Sequence, residues 1–152
     1  MQLGDKLDNL NLKIGTDKSM NLNKIVNKRI IIYFYPKDDT PGCTVEATDF
    51  TKFKKEFENN NVHVIGVSKD TIDKHEKFKN KYNLTIDLAS DEDGSICNYF
   101  KVWVEKSMYG KKYMGIERAT FLFNEKKKLI KIWRKVKVKG HVEEVLNSLN
   151  EI

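Results

Sequence analysis

Tyr33-Phe-Tyr-Pro36-Lys-Asp-Asp-Thr40-Pro-Gly-Cys43-Thr-Val-Glu46, entered from Ile30-Ile-Ile, is the stretch whose reading decides the fold. Ile30 to Tyr35 is a continuous run of β-formers with no polar alternation, the pattern of a strand buried on both faces. Pro36 ends it, and a short polar turn follows. Pro41-Gly42 then delivers one thiol to the start of a helix. A cysteine at such a position sits among unsatisfied backbone N–H groups and at the positive end of the helix dipole, both of which favour a thiolate. Thr40, three residues before the thiol, can supply a hydroxyl. Strand, turn and nucleophile at a helix start make Cys43 the first candidate for chemistry.

Working outward, Phe50, Phe53 and Phe57 recur at i, i+3 and i+7 while Lys52, Lys54, Lys55 and Glu56 take the other side, so an amphipathic helix is expected from Cys43 to Asn59. His63 to Val67 reads as a short strand, Thr71 to Tyr82 as a helix, and Leu84 to Leu88 as another strand. Asp91-Glu-Asp-Gly leads into a short helix holding Cys97 and Phe100. After Val102 and Trp103 a loop is expected up to Gly115. Glu117 to Phe123 and Lys128 to Val138 read as hairpin strands joined near Asn124, and Val142, Val145, Leu146 and Leu149 mark a closing helix. The first 28 residues suggest a small N-terminal β-hairpin and a turn of helix. This order is that of an α/β, thioredoxin-like sandwich: a central mixed β-sheet flanked by helices.

The chain has 152 residues, 39% hydrophobic and 33% charged, enough for one domain over 1–152 with its own core. No apolar run approaches the ~20 residues of a membrane span. The N-terminus lacks a basic segment followed by an apolar one, so a secretory signal is not expected. Two cysteines without a framework fit a reducing compartment, and a cytoplasmic location is expected, with a processed organellar form also compatible. The net charge of +6 is modest. Its densest stretch, Glu125 to Lys139, alternates Ile130, Ile132, Val136 and Val138 with lysines, as a half-buried strand with a lysine-coated face would. Trp133 and Arg134 interrupt the alternation. A solvated face is the better reading, and nucleic acid is disfavoured as a partner.

Pro36-x-x-x-Thr40-x-x-Cys43 resembles the active-site motif of peroxiredoxins. The longer Tyr-Pro-Lys-x-x-Thr-Pro-Gly-Cys-Thr-x-Glu-Ala is similar to the peroxiredoxin Q branch, also called bacterioferritin comigratory protein. The likeness continues through Leu88-Ala-Ser-Asp-Glu-Asp-Gly, Phe100-x-Val-Trp-x-Glu-Lys-Ser-Met-Tyr-Gly and Lys111-x-Tyr-x-Gly-Ile-x-Arg118-x-Thr-Phe-Leu, in collinear order over most of the chain. The resemblance implies a thiol peroxidase acting on hydrogen peroxide and organic hydroperoxides. It casts Cys43 as the peroxidatic nucleophile, Thr40 as the hydroxyl that holds peroxide and thiolate, and Pro36 as a shield of the pocket. Arg118 becomes the catalytic arginine and Glu46 the first-turn residue that orients it. No metal or organic cofactor is implied. The electron donor would be thioredoxin, glutaredoxin or a low-molecular-weight thiol, and the protein a monomer.

Elementary chemistry fits those roles. An ordinary thiol with a pKa near ~8.5 is only about 3% ionised at pH 7. Full ionisation therefore accelerates attack by at most about 30-fold, or ~2 kcal/mol. The rest must come from aligning the O–O bond and stabilising charge on the departing oxygen. The chain departs from the branch at Thr48, where many members carry a resolving cysteine. Cys97 is the other thiol, and three readings stand: a resolver reached by local unfolding, an external thiol in its place, or Cys97 as a small core residue. His63, His75 and His141 are assigned no catalytic role, and Cys spacing gives no zinc site. Two rival functions are a thioredoxin-fold thiol–disulfide oxidoreductase, disfavoured because Cys43 is followed by Thr44, Val45 and Glu46, and a non-enzymatic chaperone or nucleic-acid binder.

Overall fold

The computed structural model describes residues 1–151; Ile152, the last residue of the expected 1–152 domain, lies outside them. Its centre is β3 (Arg29–Phe34), the run Ile30-Ile-Ile-Tyr-Phe. Because strand side chains alternate, Ile30, Ile32 and Phe34 bury on one face of the sheet while Ile31, Tyr33 and Tyr35 bury on the other. Two cores on one sheet explain why this strand shows no polar alternation.

β3 pairs in parallel with β4 (Val62–Ser68), which pairs in parallel with β5 (Asp87–Ser90). On its other side β3 pairs antiparallel with β8 (Ala119–Phe123), which in turn pairs antiparallel with β9 (Leu129–Trp133). The N-terminal hairpin, β1 (Asn11–Gly15) and β2 (Lys18–Asn21), joins the far edge through Lys13 and Ser90. The resulting seven-stranded mixed sheet runs β2-β1-β5-β4-β3-β8-β9. Helices α1 (Pro41–Lys52), α2 (Lys54–Asn59), α3 (Ile72–Tyr82) and α5 (His141–Ser148) bring Phe50, Phe57, Phe78 and Val145 to the Tyr33 face. The short α4 (Ser95–Tyr99) brings Cys97 to the Phe34 face, beside Phe100. Among the described residues no helix is long and apolar enough to cross a membrane.

Four expectations are corrected. The single helix from Cys43 is two, broken at Phe53 (φ −98°, ψ 10°). Straight helix would set Phe50 and Phe57 about 10 Å apart along the axis, whereas the break packs their rings with centroids 5.7 Å apart. The expected loop after Trp103 is a hairpin, β6 (Trp103–Met108) and β7 (Lys111–Ile116). Its turn, Tyr109-Gly110, takes φ of 52° and 78°, the pair of positive angles that suits strand twist. Most of the hairpin is exposed on both faces, so burial imposed no alternation to read. The Leu84–Leu88 strand is displaced to β5: Asn83, at φ 54°, ends α3, and the Leu84 N–H still donates back to the Lys79 carbonyl (3.0 Å), so Leu84 belongs to the helix cap rather than to a strand. Finally, the basic strand stops at Trp133. Lys135 turns the chain at φ 48°, and the Val136 N–H donates to the Arg118 carbonyl instead (3.0 Å).

Candidate active site

The polar turn after β3 ends at Thr40, whose extended backbone (φ −97°, ψ 156°) caps α1, with Pro41 at the first helical position. The first helical hydrogen bond runs from the Thr44 N–H to the Thr40 carbonyl (2.8 Å). The Cys43 N–H therefore lies in the first turn, where donors have no helical partner. Its side chain is turned inward and only 1% exposed.

Arg118 reaches this thiol from the strand side. It directly precedes β8, whose first residue, Ala119, is paired with Phe34 at the end of β3. The guanidinium divides its donors. Nη2 donates to the Cys43 sulfur at 3.3 Å, and Nη1 donates to Glu46 Oε1 at 2.7 Å. Glu46 lies three residues beyond Cys43, on the same face of α1, so one arginine spans both. Gly42 makes room: a Cβ there would sit 3.3 Å from Nη2.

Glu46 is fully buried. Burial pushes its carboxyl up to about 7, with Arg118 pulling the other way. Its second oxygen, Oε2, and the nearby Tyr33 hydroxyl have no hydrogen-bond partner among the described residues. Burial first, and the Glu46 and Cys43 charges next, hold the Tyr33 hydroxyl well above its ordinary value. Arg118 is thus the one side chain there whose donors are spent on both the thiol and the carboxylate.

The Thr40 hydroxyl donates to the Lys37 carbonyl (2.9 Å) rather than to Cys43. Its hydrogen is committed, which leaves its oxygen lone pairs as acceptors. Pro36 and Arg118 share the wall of an open depression of about 410 Å³ with Val104, Lys106 and Val136. Cys43, Arg118 and Glu46 are therefore in direct contact, Pro36 stands beside the arginine, and Thr40 caps the helix with its oxygen free to accept.

Cys97 is elsewhere. It belongs to the Phe34-side core, whereas Cys43 belongs to the Tyr33-side core, so the sheet lies between the two thiols. Its backbone N–H donates to Asp91 Oδ2 (2.8 Å), and burial, with Asp91 adding to it, drives its thiol far above the ordinary range. At Thr48 the hydroxyl is spent on the Thr44 carbonyl (2.8 Å).

Two histidines passed over in sequence lie close to this machinery. His141, at the start of α5, shares a 2.8 Å hydrogen bond with the Thr120 hydroxyl, and burial, then Arg118, lowers it to about 4. His75 contacts Asp38 in the turn that carries Thr40 (2.6 Å). No spacing rule links residues 37 positions apart on different elements, so sequence held no signal for that pair.

A family model described as the AhpC/TSA family matches residues 3–132. A Bacillus subtilis protein named peroxiredoxin Bcp is 45% identical over 152 residues, covering 100% of this chain and 97% of its own. A Coxiella burnetii putative peroxiredoxin bcp is 44% identical, over 98% of this chain and 99% of its own. The crystal structure of a cysteine-to-serine mutant of Xylella fastidiosa PrxQ superposes with a TM-score of 0.94 at 40% identity, covering 99% of this chain and 96% of the other. A Xanthomonas campestris bacterioferritin comigratory protein, studied for alkyl peroxide reduction, gives a TM-score of 0.90 at 40% identity over 94% and 90% of the two chains. With likeness of this extent along both sequence and fold, the chain belongs to the AhpC/TSA family, in its peroxiredoxin Q or bacterioferritin comigratory protein branch.

Proposed function

We propose that this thiol-dependent peroxidase works through Cys43, as a single thioredoxin-like unit and a monomer in the cytoplasm, by a cycle in which an external thiol does the resolving. The observation that carries the reading is the Arg118 contact. One half-buried guanidinium touches the nucleophile's sulfur and a carboxylate on the same helix. The Cys43 thiolate attacks one oxygen of a hydroperoxide, and a sulfur–oxygen bond forms as the O–O bond breaks. The attacked oxygen keeps its hydrogen, so Cys43 becomes a sulfenic acid, and the departing oxygen takes a proton from solvent to leave as water or an alcohol.

Each neighbour has a part in that step. Arg118 carries positive charge to the sulfur and to the oxygen atoms that gather negative charge in the transition state. Thr40, with its hydrogen given to Lys37, accepts a hydrogen bond from the peroxide O–H and so orients the O–O axis. Pro36 walls the approach and keeps water from the reacting atoms. Glu46 holds the guanidinium in its two-pronged pose.

The second half of the cycle needs two electrons. A free thiol condenses with the sulfenic acid to a mixed disulfide and water, and a second thiol releases Cys43. Cys97, across the sheet and held protonated by burial, is poorly placed for that attack. The donor is thus a thioredoxin, a glutaredoxin or a low-molecular-weight thiol. Because Cys43 is 1% exposed, the first turn of α1 opens before any donor sulfur reaches it.

Intact mass after one equivalent of hydrogen peroxide tests this, with Cys97→Ser alongside. Gain of one oxygen at Cys43 in both proteins is the expected result. Loss of two hydrogens, abolished by Cys97→Ser, would replace the external donor by a Cys43–Cys97 disulfide. An unchanged mass would remove the peroxidase mechanism altogether.

A further inference from the structure

The turn that carries Pro36 and Thr40 is fastened from behind, by residues that take no part in the chemistry above. The Asp38 N–H donates to Asp70 Oδ2 (2.9 Å), and the Ser68 hydroxyl holds that same oxygen (2.7 Å). Lys81 Nζ donates to Asp39 Oδ2 (2.8 Å), and the Tyr82 hydroxyl donates to its other oxygen. At the centre, the Asp38 carboxylate accepts from the Tyr35 hydroxyl on Oδ1 (2.6 Å) and faces His75 Nδ1 on Oδ2 (2.6 Å). The far side of the same ring, Nε2, lies 2.9 Å from the Ala89 carbonyl. His75 is 3% exposed and Asp38 9%.

Nδ1 faces the Asp38 carboxylate and, more distantly, the Tyr35 hydroxyl (3.4 Å), whereas Nε2 faces a carbonyl. A carbonyl cannot donate, so Nε2 carries a hydrogen. One further proton lies between Nδ1 and Asp38. Tyr35 donates to the other carboxylate oxygen, which leaves Oδ2 to the ring. Both ring nitrogens are thus engaged in hydrogen bonds, and the plane of the ring is fixed. Asp38, Asp70 and His75 bring one ligand-type atom each within 4.8 Å of the others, yet a ring so engaged offers no free lone pair to a metal.

A buried polar contact of this kind adds little net stability, because desolvation offsets attraction. What it supplies is position. We propose that His75 is a positioning residue of the peroxidatic site: held by both ring nitrogens between Asp38 and the Ala89 carbonyl, it fixes the turn that sets Pro36 and Thr40 against Cys43. The inference rests on the Cys43 peroxidase reading and adds to it a clamp running from α3 to the catalytic turn.

Two measurements test it. In the wild-type protein, nitrogen-15 NMR should show a His75 ring N–H protected from exchange with solvent, identified by its loss in His75→Gln. A ring N–H that exchanges freely would overturn the proposal without any variant having to fold. In His75→Gln and Asp38→Asn, oxidation of Cys43 by hydrogen peroxide should slow by roughly 10- to 100-fold, the scale of a small misalignment of reacting groups. Alkylation of Cys43 by iodoacetamide should not slow, since it needs the thiolate but no aligned O–O bond. An unchanged peroxide rate, or equal slowing of both reactions, would refute positioning. If wild-type Cys43 itself ignores peroxide, the peroxidase reading fails; if it reacts and the variants match it, only the clamp fails.

Discussion

Replacing Arg118 by alanine tests the site at its most heavily used contact. The guanidinium Nη2 lies 3.3 Å from the Cys43 sulfur. At an effective dielectric of ~20, a full charge pair at that separation would interact by about 5 kcal/mol. The real share is smaller, because Nη1 is given to Glu46 and the side chain keeps 16% exposure. Loss of one preorganised donor in comparable sites costs about 3–4 kcal/mol, or 10²–10³-fold in rate. At most ~30-fold of that can come through thiol ionisation, so a larger loss must reflect charge stabilised on the breaking O–O bond. The fold should survive. Glu46 is already pushed up to about 7 by burial, and without Arg118 it rises further, so at neutral pH it takes a proton rather than standing as a bare buried charge. Arg118→Lys should fall between, since one ammonium cannot reproduce a fork that serves sulfur and carboxylate together. Rapid-quench mass spectrometry of the sulfenic acid, with circular dichroism as the control for folding, measures the effect. Oxidation of Arg118→Ala at the wild-type rate, in a folded protein, would refute the reasoning.

Two further predictions concern the scaffold around the site. At Gly66 a Cβ would lie 2.6 Å from Tyr33 Cζ, and that buried ring is stacked on Phe50 at 4.5 Å with nowhere to retreat. Gly66→Ala should therefore cost about 1–3 kcal/mol and lower the urea midpoint; an unchanged midpoint would show that the ring gives way freely. The second uses opposed titrations. Glu46, raised to about 7, binds its proton in the folded state first, so its contribution to stability grows as pH falls from 7 to 4.5. His141, lowered to about 4, binds its proton in the unfolded state first, so its contribution is lost as pH falls from 6.5 toward 4. In urea titrations, His141→Gln should gain stability across that window and Glu46→Gln should lose it, with the wild type between them. Parallel curves for all three would refute both assignments.

Much of the fold was legible because burial leaves a periodic trace. The unbroken Ile30–Tyr35 run announced a central strand, the i, i+3, i+7 phenylalanines announced the helix after Cys43, and the turn near Asn124 announced the β8–β9 hairpin. Where burial was weak or one-sided the trace failed. The β6–β7 hairpin, exposed over most of its length, was read as a loop, and the lysine alternation carried β9 past its end at Trp133. The break at Phe53 was equally invisible, since no proline or glycine marks it.

For the site the same division holds. Sequence by itself singled out the candidate nucleophile and determined its setting: strand, proline, threonine and a cysteine in the first turn of a helix are local features, fixed by backbone rules that act over a few residues. It also determined family membership, since the matching segments run in order along most of the chain. Only the tertiary structure decided what surrounds the thiol. Arg118 meets Cys43 across 75 positions of chain because β8 pairs with β3, and His75 meets Asp38 across 37 because α3 folds back on the turn. The position of Cys97 was decided there as well. The side of the sheet a residue faces depends on how its element packs against the strands, and that packing places the second thiol behind the sheet from the first.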